Sequence, residues 1–218
     1  MGKEEDLKTN LFQSIICYVR ENHADKIDKA YEYFWDENHP EEFLSGTALS
    51  LGFINFEDWL VFDYKAGEDK ETFIDIYAKC NPGLKDEENA LLCKIKDAVL
   101  SLYEVVSVSK DKRVLLKDLL LGSEFSLKNR SLTKGLKKGD LFATRLLPLD
   151  KSHVMSGCVY PYSKEHKEKL LIYIDKQFGR YKRNVKPEGT MRDFLKDYGD
   201  VINIAWMNLI LNIHLQNA

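Results

Sequence analysis

The fold of this chain is decided by residues 103–127, which read YEVVSVSKDKRVLLKDLLLGSEFSL. Before this point apolar residues recur at helical spacing, whereas here Val106 and Val108 alternate with serines. The alternation resumes in 113–117 and in 124–127, after turns rich in Lys, Asp, Gly and Ser. A period of two with short polar turns is typical of antiparallel strands, so we expect consecutive hairpins here.

Two later segments extend this pattern. Residues 141–147 and 153–160 are apolar stretches separated by a turn that contains Pro148. Five short strands at close, regular spacing favour a small barrel or a highly curved sheet, because closure removes exposed edges. The sequence therefore predicts a β module over residues 102–162.

Helical periodicity occupies both flanks of this module. In the N-terminal flank, Asn55 is a plausible N-cap for a helix that begins at Phe56. In the C-terminal flank, Gly179 is expected to end a helix and to open a basic loop over 180–187. One long helix, apolar around most of its circumference, is expected from Met191 onward.

These elements predict an α+β protein with three parts. They are an N-terminal helical bundle (1–101), a central small β-barrel or curved antiparallel sheet of about five strands (102–162), and C-terminal helices (163–218) that pack on the rest. The apolar C-terminal helix must be buried against the core or against a second copy, so an oligomer through this helix is one expectation.

Composition and charge narrow the class of protein. Hydrophobic residues make up 44% and charged residues 31% of the 218, which indicates a folded chain rather than a disordered one. The net charge of −3 hides an asymmetry: residues 1–104 hold 11 Lys and Arg against 23 Asp and Glu, whereas residues 105–145 hold 10 against 4. We expect separate acidic and basic surfaces.

Several classes of site are not indicated. The cysteines Cys17, Cys80, Cys93 and Cys158 are scattered, which favours reduced, buried thiols over metal ligands or disulfides. No phosphate-binding glycine loop or catalytic signature is present, so we expect no metal and no cofactor. The chain also lacks a signal peptide and a membrane-spanning stretch, which predicts a soluble, cytoplasmic protein without membrane partners.

Several strings carry a family resemblance: residues 55–64, 102–105, 116–125, 138–149 and 155–157. They resemble a group of uncharacterised bacterial proteins, common in clostridia and bacilli, whose longer members often end in a SEC-C zinc motif. The likeness covers roughly residues 50–160 and implies a bacterial, cytoplasmic protein without a transferable activity. The Cys-x-Cys pair that the SEC-C motif needs is absent here, so zinc binding does not transfer.

The first candidate site is the set of basic side chains in the predicted turns and strand ends, from Lys110 to Arg145. Cations in these positions can reach phosphates, and small barrels bind nucleic acid through basic grooves. The aromatics of the β module, Phe125 and Phe142, occupy positions predicted to face inward, so no stacking platform is evident. The alternative is a merely solvated surface, or one that faces the acidic helices. The candidate nucleic-acid-binding residues are Lys112, Arg113, Lys128, Arg130, Lys134, Lys137, Lys138, Arg180, Lys182 and Arg183.

Other side chains leave alternatives open. Asp63 lies on the apolar stripe of its helix, so it is a possible buried carboxylate that either pairs with a cation or serves acid–base chemistry. His153, which opens a strand, could likewise meet a carboxylate in space. Tyr33 and Trp35 point away from the stripe of Tyr31, as interface aromatics or as part of a larger core.

Three function classes follow from these observations. The first is a non-enzymatic interaction protein whose partner is another protein. The second is contact with RNA or DNA through the basic β module and the 180–186 segment. The third is an enzyme whose residues assemble only in three dimensions.

Overall fold

A computed structural model describes residues 3–67, 69–149 and 152–211 of the chain. It divides into two compact units. The first, here called the helical unit, comprises Met1–Ala98 with Leu147–Leu149. The second, the sheet unit, comprises Val99–Leu146 with Asp150–Ala218.

The described residues of the helical unit form five α-helices. They are α1 (Lys3–Asn22), α2 (Ala24–Phe34), α3 (Gly46–Phe62), α4 (Phe73–Cys80) and α5 (Asp86–Ile95), with a short 3-10 turn at Pro40–Glu42. A capping box starts α4, since the Thr72 hydroxyl donates to Asp75 Oδ2 at 2.6 Å. The predicted start of α3 at Asn55 is wrong: the helix begins at Gly46, and Asn55 lies fully buried within it.

An aromatic cluster forms the core between α2 and α3. The Phe34 ring lies 5.5 Å from that of Phe56 and 5.2 Å from that of Trp59, measured between centroids. Trp35 is also fully buried, so of its two alternatives, an interface aromatic or part of a larger core, the second applies. The reason lies at Gly52, where an added Cβ would come within 2.9 Å of the Trp35 ring. Only a glycine lets α3 approach that indole so closely.

The sheet unit contains a nearly closed antiparallel sheet. Its strands are β1 (Leu100–Ser109), β2 (Arg113–Asp118), β3 (Glu124–Leu127), β4 (Leu141–Leu149), β5 (Ser152–Met155) and β6 (Tyr160–Tyr162). The last three residues of β4 are counted with the helical unit. The order is β3-β2-β1-β4-β5, with β6 also paired to β4. The outermost strands meet, because the Phe125 ring of β3 lies 4.8 Å from the His153 ring of β5. The predicted α+β fold with a barrel-like sheet is confirmed.

A β-bulge decides which side chains of β1 face the interior. The register with β2 shifts between Val105 and Ser107, so one extra residue interrupts the alternation. As a result Val105 is buried in the interior cluster, and Val106 is only half-buried. The rest of that cluster is apolar: Tyr103, Val114, Leu116, Leu127, Phe142 and Leu146.

The buried carboxylate of Asp118 joins the end of β2 to β1 and to the turn that follows β2. Asp118 Oδ1 accepts a hydrogen bond from the Ser101 hydroxyl at 2.7 Å and from the N–H groups of Leu120 and Leu121 at 2.9 Å each. The residue is 1% exposed. Burial, followed by the charge of Asp118, raises the pKa of Tyr103 well above its usual value.

The helices of the sheet unit differ from the prediction in three ways. They are α6 (Arg130–Gly135), α7 (Lys167–Asn184), α8 (Met191–Asp197) and α9 (Val201–Trp206), which continues as a π-helix over Met207–Leu211. The short α6 was not predicted. The basic loop predicted after Gly179 is wrong, because α7 continues to Asn184. The single last helix is also wrong, because the chain breaks between α8 and α9.

The predicted capping box at the start of α8 is confirmed: Thr190 and Asp193 bond reciprocally, with the Thr190 hydroxyl donating to Asp193 Oδ2 at 2.6 Å. In α9 the side chains of Val201, Ile202 and Trp206 are buried. The positions of the predicted last helix beyond Leu211 lie outside the described residues.

The four cysteines are free thiols, but only Cys158 is buried. The predicted burial is therefore wrong for Cys17, Cys80 and Cys93, which lie on exposed faces of their helices. Within the described ranges, no helix combines the length and the apolar composition needed to cross a membrane.

Candidate functional site

Nine cations of the sheet unit point into solvent. Each is exposed, and none of the carboxylates in the described parts of the chain forms an ion pair with them. We call this set the basic surface: Lys110, Lys112, Arg113, Lys117, Lys128, Arg130, Lys134, Lys137 and Lys138. Their positive charge is thus available to an external anion.

The pleat of β2 directs part of the basic surface outward. Val114 and Leu116 are buried inside the sheet, and the alternate residues Arg113 and Lys117 are exposed. The preceding turn is held against α6, because the backbone N–H of Asp111 donates to the Thr133 hydroxyl at 3.1 Å. This bond brings the cations of the turn beside those of α6.

The start of α6 is fixed by its own cap. Asn129 Oδ1 accepts hydrogen bonds from the backbone N–H groups of Ser131 at 2.9 Å and Leu132 at 3.2 Å. Arg130 and Lys134 are therefore presented from a fixed helical turn rather than from a loose loop.

Lys137 and Lys138 lie in a tight turn before β4. The Lys137 N–H donates to Asp140 Oδ2 at 2.6 Å, and the Gly139 N–H donates to the Val105 carbonyl at 2.7 Å. Gly139 has a φ of +81°, which favours glycine. A further cation that the sequence did not single out, Lys164, donates to the Lys138 carbonyl at 3.3 Å.

The other three predicted cations, Arg180, Lys182 and Arg183, lie near the end of α7. The start of this helix lies beside β1, because the Lys167 ammonium is 2.7 Å from Glu104. Arg180 follows Lys167 by 13 residues. At 1.5 Å per residue this is roughly 20 Å along the helix. Lys182 lies over the Phe178 ring at 5.6 Å, and Arg183 is exposed. The ten predicted residues therefore form at least two groups.

Asp63 and His153 lie apart from both groups. Asp63 is the C-cap of α3 in the helical unit and is buried. His153 is half-buried against Phe125, and burial lowers its pKa. Neither lines either of the two cavities described next.

A cavity is found within each of the two units. In the helical unit, about 230 Å³ of space lies between α1, α2 and α3, with the Arg20–Glu57 ion pair at 2.7 Å among its lining side chains. In the sheet unit, about 340 Å³ of space lies between α7, α8 and α9, and Arg180 is part of its lining. The second cavity was not predicted, because Arg180 was expected to lie in a loop. Its helical spacing to Tyr173 and Gln177 was therefore not considered.

Comparison with known proteins gives a family and no function. A family model described as a family of unknown function (DUF7986) matches residues 52–196, well over half of the chain. No curated protein and no solved structure matches the chain. The matched segment includes every cation of the basic surface.

Proposed function

Because the chain belongs to a family of unknown function (DUF7986), it inherits no activity, and we propose from its own surface that it is a non-enzymatic nucleic-acid-binding protein. The basic surface of the sheet unit contacts the phosphate backbone. The observation that carries this proposal is the exposure of nine cations without an ion pair to any described carboxylate.

Cations without an ion pair can contribute to binding by neutralising phosphates. A duplex carries one negative charge per roughly 1.7 Å, and each cation that neutralises a phosphate releases a counterion, which favours binding. The cations are carried by turns, by strand β2 and by the short α6, so we expect several of them to reach one phosphate backbone. Such contacts fix position without reading sequence, so we expect weak sequence preference.

A duplex fits this surface better than a single strand. Binding of single strands relies on exposed aromatic rings that stack on bases. Here Phe142 is 4% exposed and Phe125 is half-buried against Tyr103 and His153. The rings of this region therefore serve the interior of the sheet.

The direct test compares charge-reversed variants by fluorescence anisotropy. The ligands are DNA and RNA duplexes of about 20 base pairs in about 50 mM salt. Lys137→Glu/Lys138→Glu should weaken binding at least tenfold. Lys169→Glu/Lys176→Glu, two exposed lysines of α7, makes the same charge change away from the basic surface and should have a smaller effect. Equal losses in the two variants, or no binding by the wild type, would overturn the proposal.

A second candidate function is interaction with a protein through the helical unit. Its support is a group of exposed apolar side chains: Tyr33 is 60% exposed, Phe43 38%, Phe53 37% and Ile54 42%. Tyr33 also stacks on Trp59 with ring centroids 5.8 Å apart, so its ring is presented in a fixed orientation. Aromatic residues held in this way are enriched at interfaces.

Surface variants can test this second candidate. Phe53→Ser/Ile54→Ser should abolish co-purification of a partner from cells and leave duplex binding unchanged. A partner retained in full by the variant would argue against this surface.

The remaining expectations from the sequence stay predictions. They are the three-part division of the chain, the clostridial and bacillar relatives with a SEC-C motif, the cytoplasmic location, an oligomer through the C-terminal helix, and an enzyme using Asp63 or His153.

A further inference from the structure

The cavity between α7, α8 and α9 lies wholly within the sheet unit and plays no part in the proposed contact with phosphates. Its volume of about 340 Å³ is at the lower end of the range for small-molecule sites. The lining residues fall into a polar group on α7 and at the start of α9, and an apolar group on α8 and α9.

The polar face begins on α7. Tyr173, Gln177, Arg180 and Asn184 follow one another at spacings of four, three and four, so they share one face of the helix. Arg180 Nη1 donates to Gln177 Oε1 at 3.3 Å, which holds the guanidinium along this face. Its other donors remain available to a ligand, because a guanidinium carries five N–H groups.

Asp200 contributes a charge of the opposite sign. It occupies the N-cap position of α9 and lines the cavity. Burial raises the pKa of Tyr173, and Asp200 raises it further, while the hydrogen bond from Gln177 and the charge of Arg180 act in the opposite direction. The Tyr173 hydroxyl therefore lies within electrostatic reach of both the cation and the carboxylate.

The rest of the lining is apolar, and its aromatic rings pack on one another. The Phe194 ring lies 5.6 Å from that of Tyr181 and 6.0 Å from that of Tyr198, and the aliphatic side chains of Val201 and Ile204 complete the wall. The Tyr181 hydroxyl donates to Asp197 Oδ2 at 2.6 Å, so the orientation of this ring is fixed. Such a wall suits a hydrophobic or aromatic group.

We propose that this cavity binds a free α-amino acid with an apolar or aromatic side chain. The α-carboxylate accepts hydrogen bonds from Arg180, the α-ammonium donates to Asp200, and the side chain lies against Phe194 and Ile204. A cation and a carboxylate in one cavity suit a zwitterion, because each charge of the ligand meets its opposite. A nucleotide, with its negative phosphate, would gain from Arg180 but would be repelled by Asp200.

Calorimetry with the full chain tests this assignment. The probes are L-phenylalanine, L-leucine, N-acetyl-L-phenylalanine, L-phenylalaninamide and adenosine monophosphate. The free amino acids should bind, and the acetylated and amidated derivatives should each bind at least tenfold more weakly, since each lacks one charge. Absence of binding by both free amino acids, equal binding by either derivative, or tighter binding by the nucleotide would each overturn the proposal.

Variants then assign the two charges. Arg180→Gln should weaken binding of L-phenylalanine by about tenfold to a hundredfold and should reduce the penalty for amidation. Asp200→Asn should likewise weaken binding of L-phenylalanine and should reduce the penalty for acetylation. The control is Arg183→Gln, which removes an exposed cation of the same helix that does not line the cavity. Unchanged binding in both cavity variants would exclude this site.

Loss of folding must be separated from loss of binding. Arg180 is exposed, so its variant should unfold at the temperature of the wild type. Val185→Trp provides a second route, because Val185 is 54% exposed at the cavity and a larger side chain there obstructs it without changing a charge. The tryptophan variant should lose binding of every probe; retained binding would contradict the assignment. Duplex binding should be unaffected by all these variants.

Discussion

Replacing Asp118 with alanine tests how the sheet unit is held together at the end of β2. Its carboxylate accepts one hydrogen bond from the Ser101 hydroxyl at 2.7 Å and two from backbone N–H groups at 2.9 Å, and the residue is 1% exposed. Hydrogen bonds to a charged group contribute about 1.5–3 kcal/mol each, but they do not add fully. The two amides lie in a half-buried turn and regain some hydration. We therefore expect the free energy of unfolding to fall by about 3–5 kcal/mol.

Urea unfolding followed by circular dichroism measures this loss, with two companion variants as controls. Asp118→Asn keeps a carbonyl oxygen that can accept the same bonds, and Ser101→Ala removes only one of them, so each should cost about 1–2 kcal/mol. Hydrogen exchange of peptides from β1 and β2 should show the loss in these strands. A change below about 1 kcal/mol for Asp118→Ala, or an equal loss in Asp118→Asn, would refute the reasoning.

Two further predictions concern the α7–α8 region. Gly189→Ala should destabilise the chain by about 1–3 kcal/mol in urea unfolding, because the new Cβ would lie 2.5 Å from Tyr181 Cε1. The Cβ added by Gly135→Ala would meet open space, so this variant should leave the free energy of unfolding unchanged. A similar loss in the two alanine variants would contradict the reasoning. Hydrogen bonds from Lys186 and Thr190 hold the pKa of Asp193 well below its usual 3.8, so its stabilising contribution is present above that pH and is lost as the pH falls below it. Asp193→Asn should thus flatten the dependence of unfolding free energy on pH between about pH 4 and 2, and an unchanged curve would argue against the bonded carboxylate.

The sequence predicted the strands well because their signal is local. Alternating side chains and turn residues directly encode the pleat, and β2 shows the expected exposure. The alternation in the sequence could not show that Val105 is buried and Val106 only half-buried, because a bulge shifts the register there and depends on pairing with a distant strand.

The helix ends were harder to predict because packing overrides local preference. Gly179 does not end α7, since Tyr181, two residues on, is buried against Phe194 and keeps the chain helical. The break after α8 coincides with Gly199. This glycine is a local signal for a helix end, but the apolar periodicity across it favoured one continuous helix. The burial of Trp35 depends on the absence of a side chain at Gly52. This contact joins the end of α2 to α3, so it has no local signal in the sequence.

The site itself stays a prediction, but the exposure of its cations can be compared with the structure. Nine of the ten cations between Lys110 and Arg145 are exposed as expected, whereas Arg145, in β4, is fully buried, so its predicted exposure is wrong. The bond between Asp111 and Thr133, which brings two groups of them together, joins residues 22 positions apart and has no local signature. The cavity could not be predicted, because its two charges come from Arg180 and Asp200 on different helices.

The dependence of duplex affinity on salt is the most direct measurement of phosphate contact. The logarithm of the association constant, plotted against the logarithm of salt concentration, has a slope of about −0.9 for each phosphate neutralised. If four to six cations of the basic surface contact phosphates, the slope should be about −4 to −5, and it should become shallower by about 2 in Lys137→Glu/Lys138→Glu. A slope near zero, or an identical slope in this variant, would show that these cations do not hold a nucleic acid.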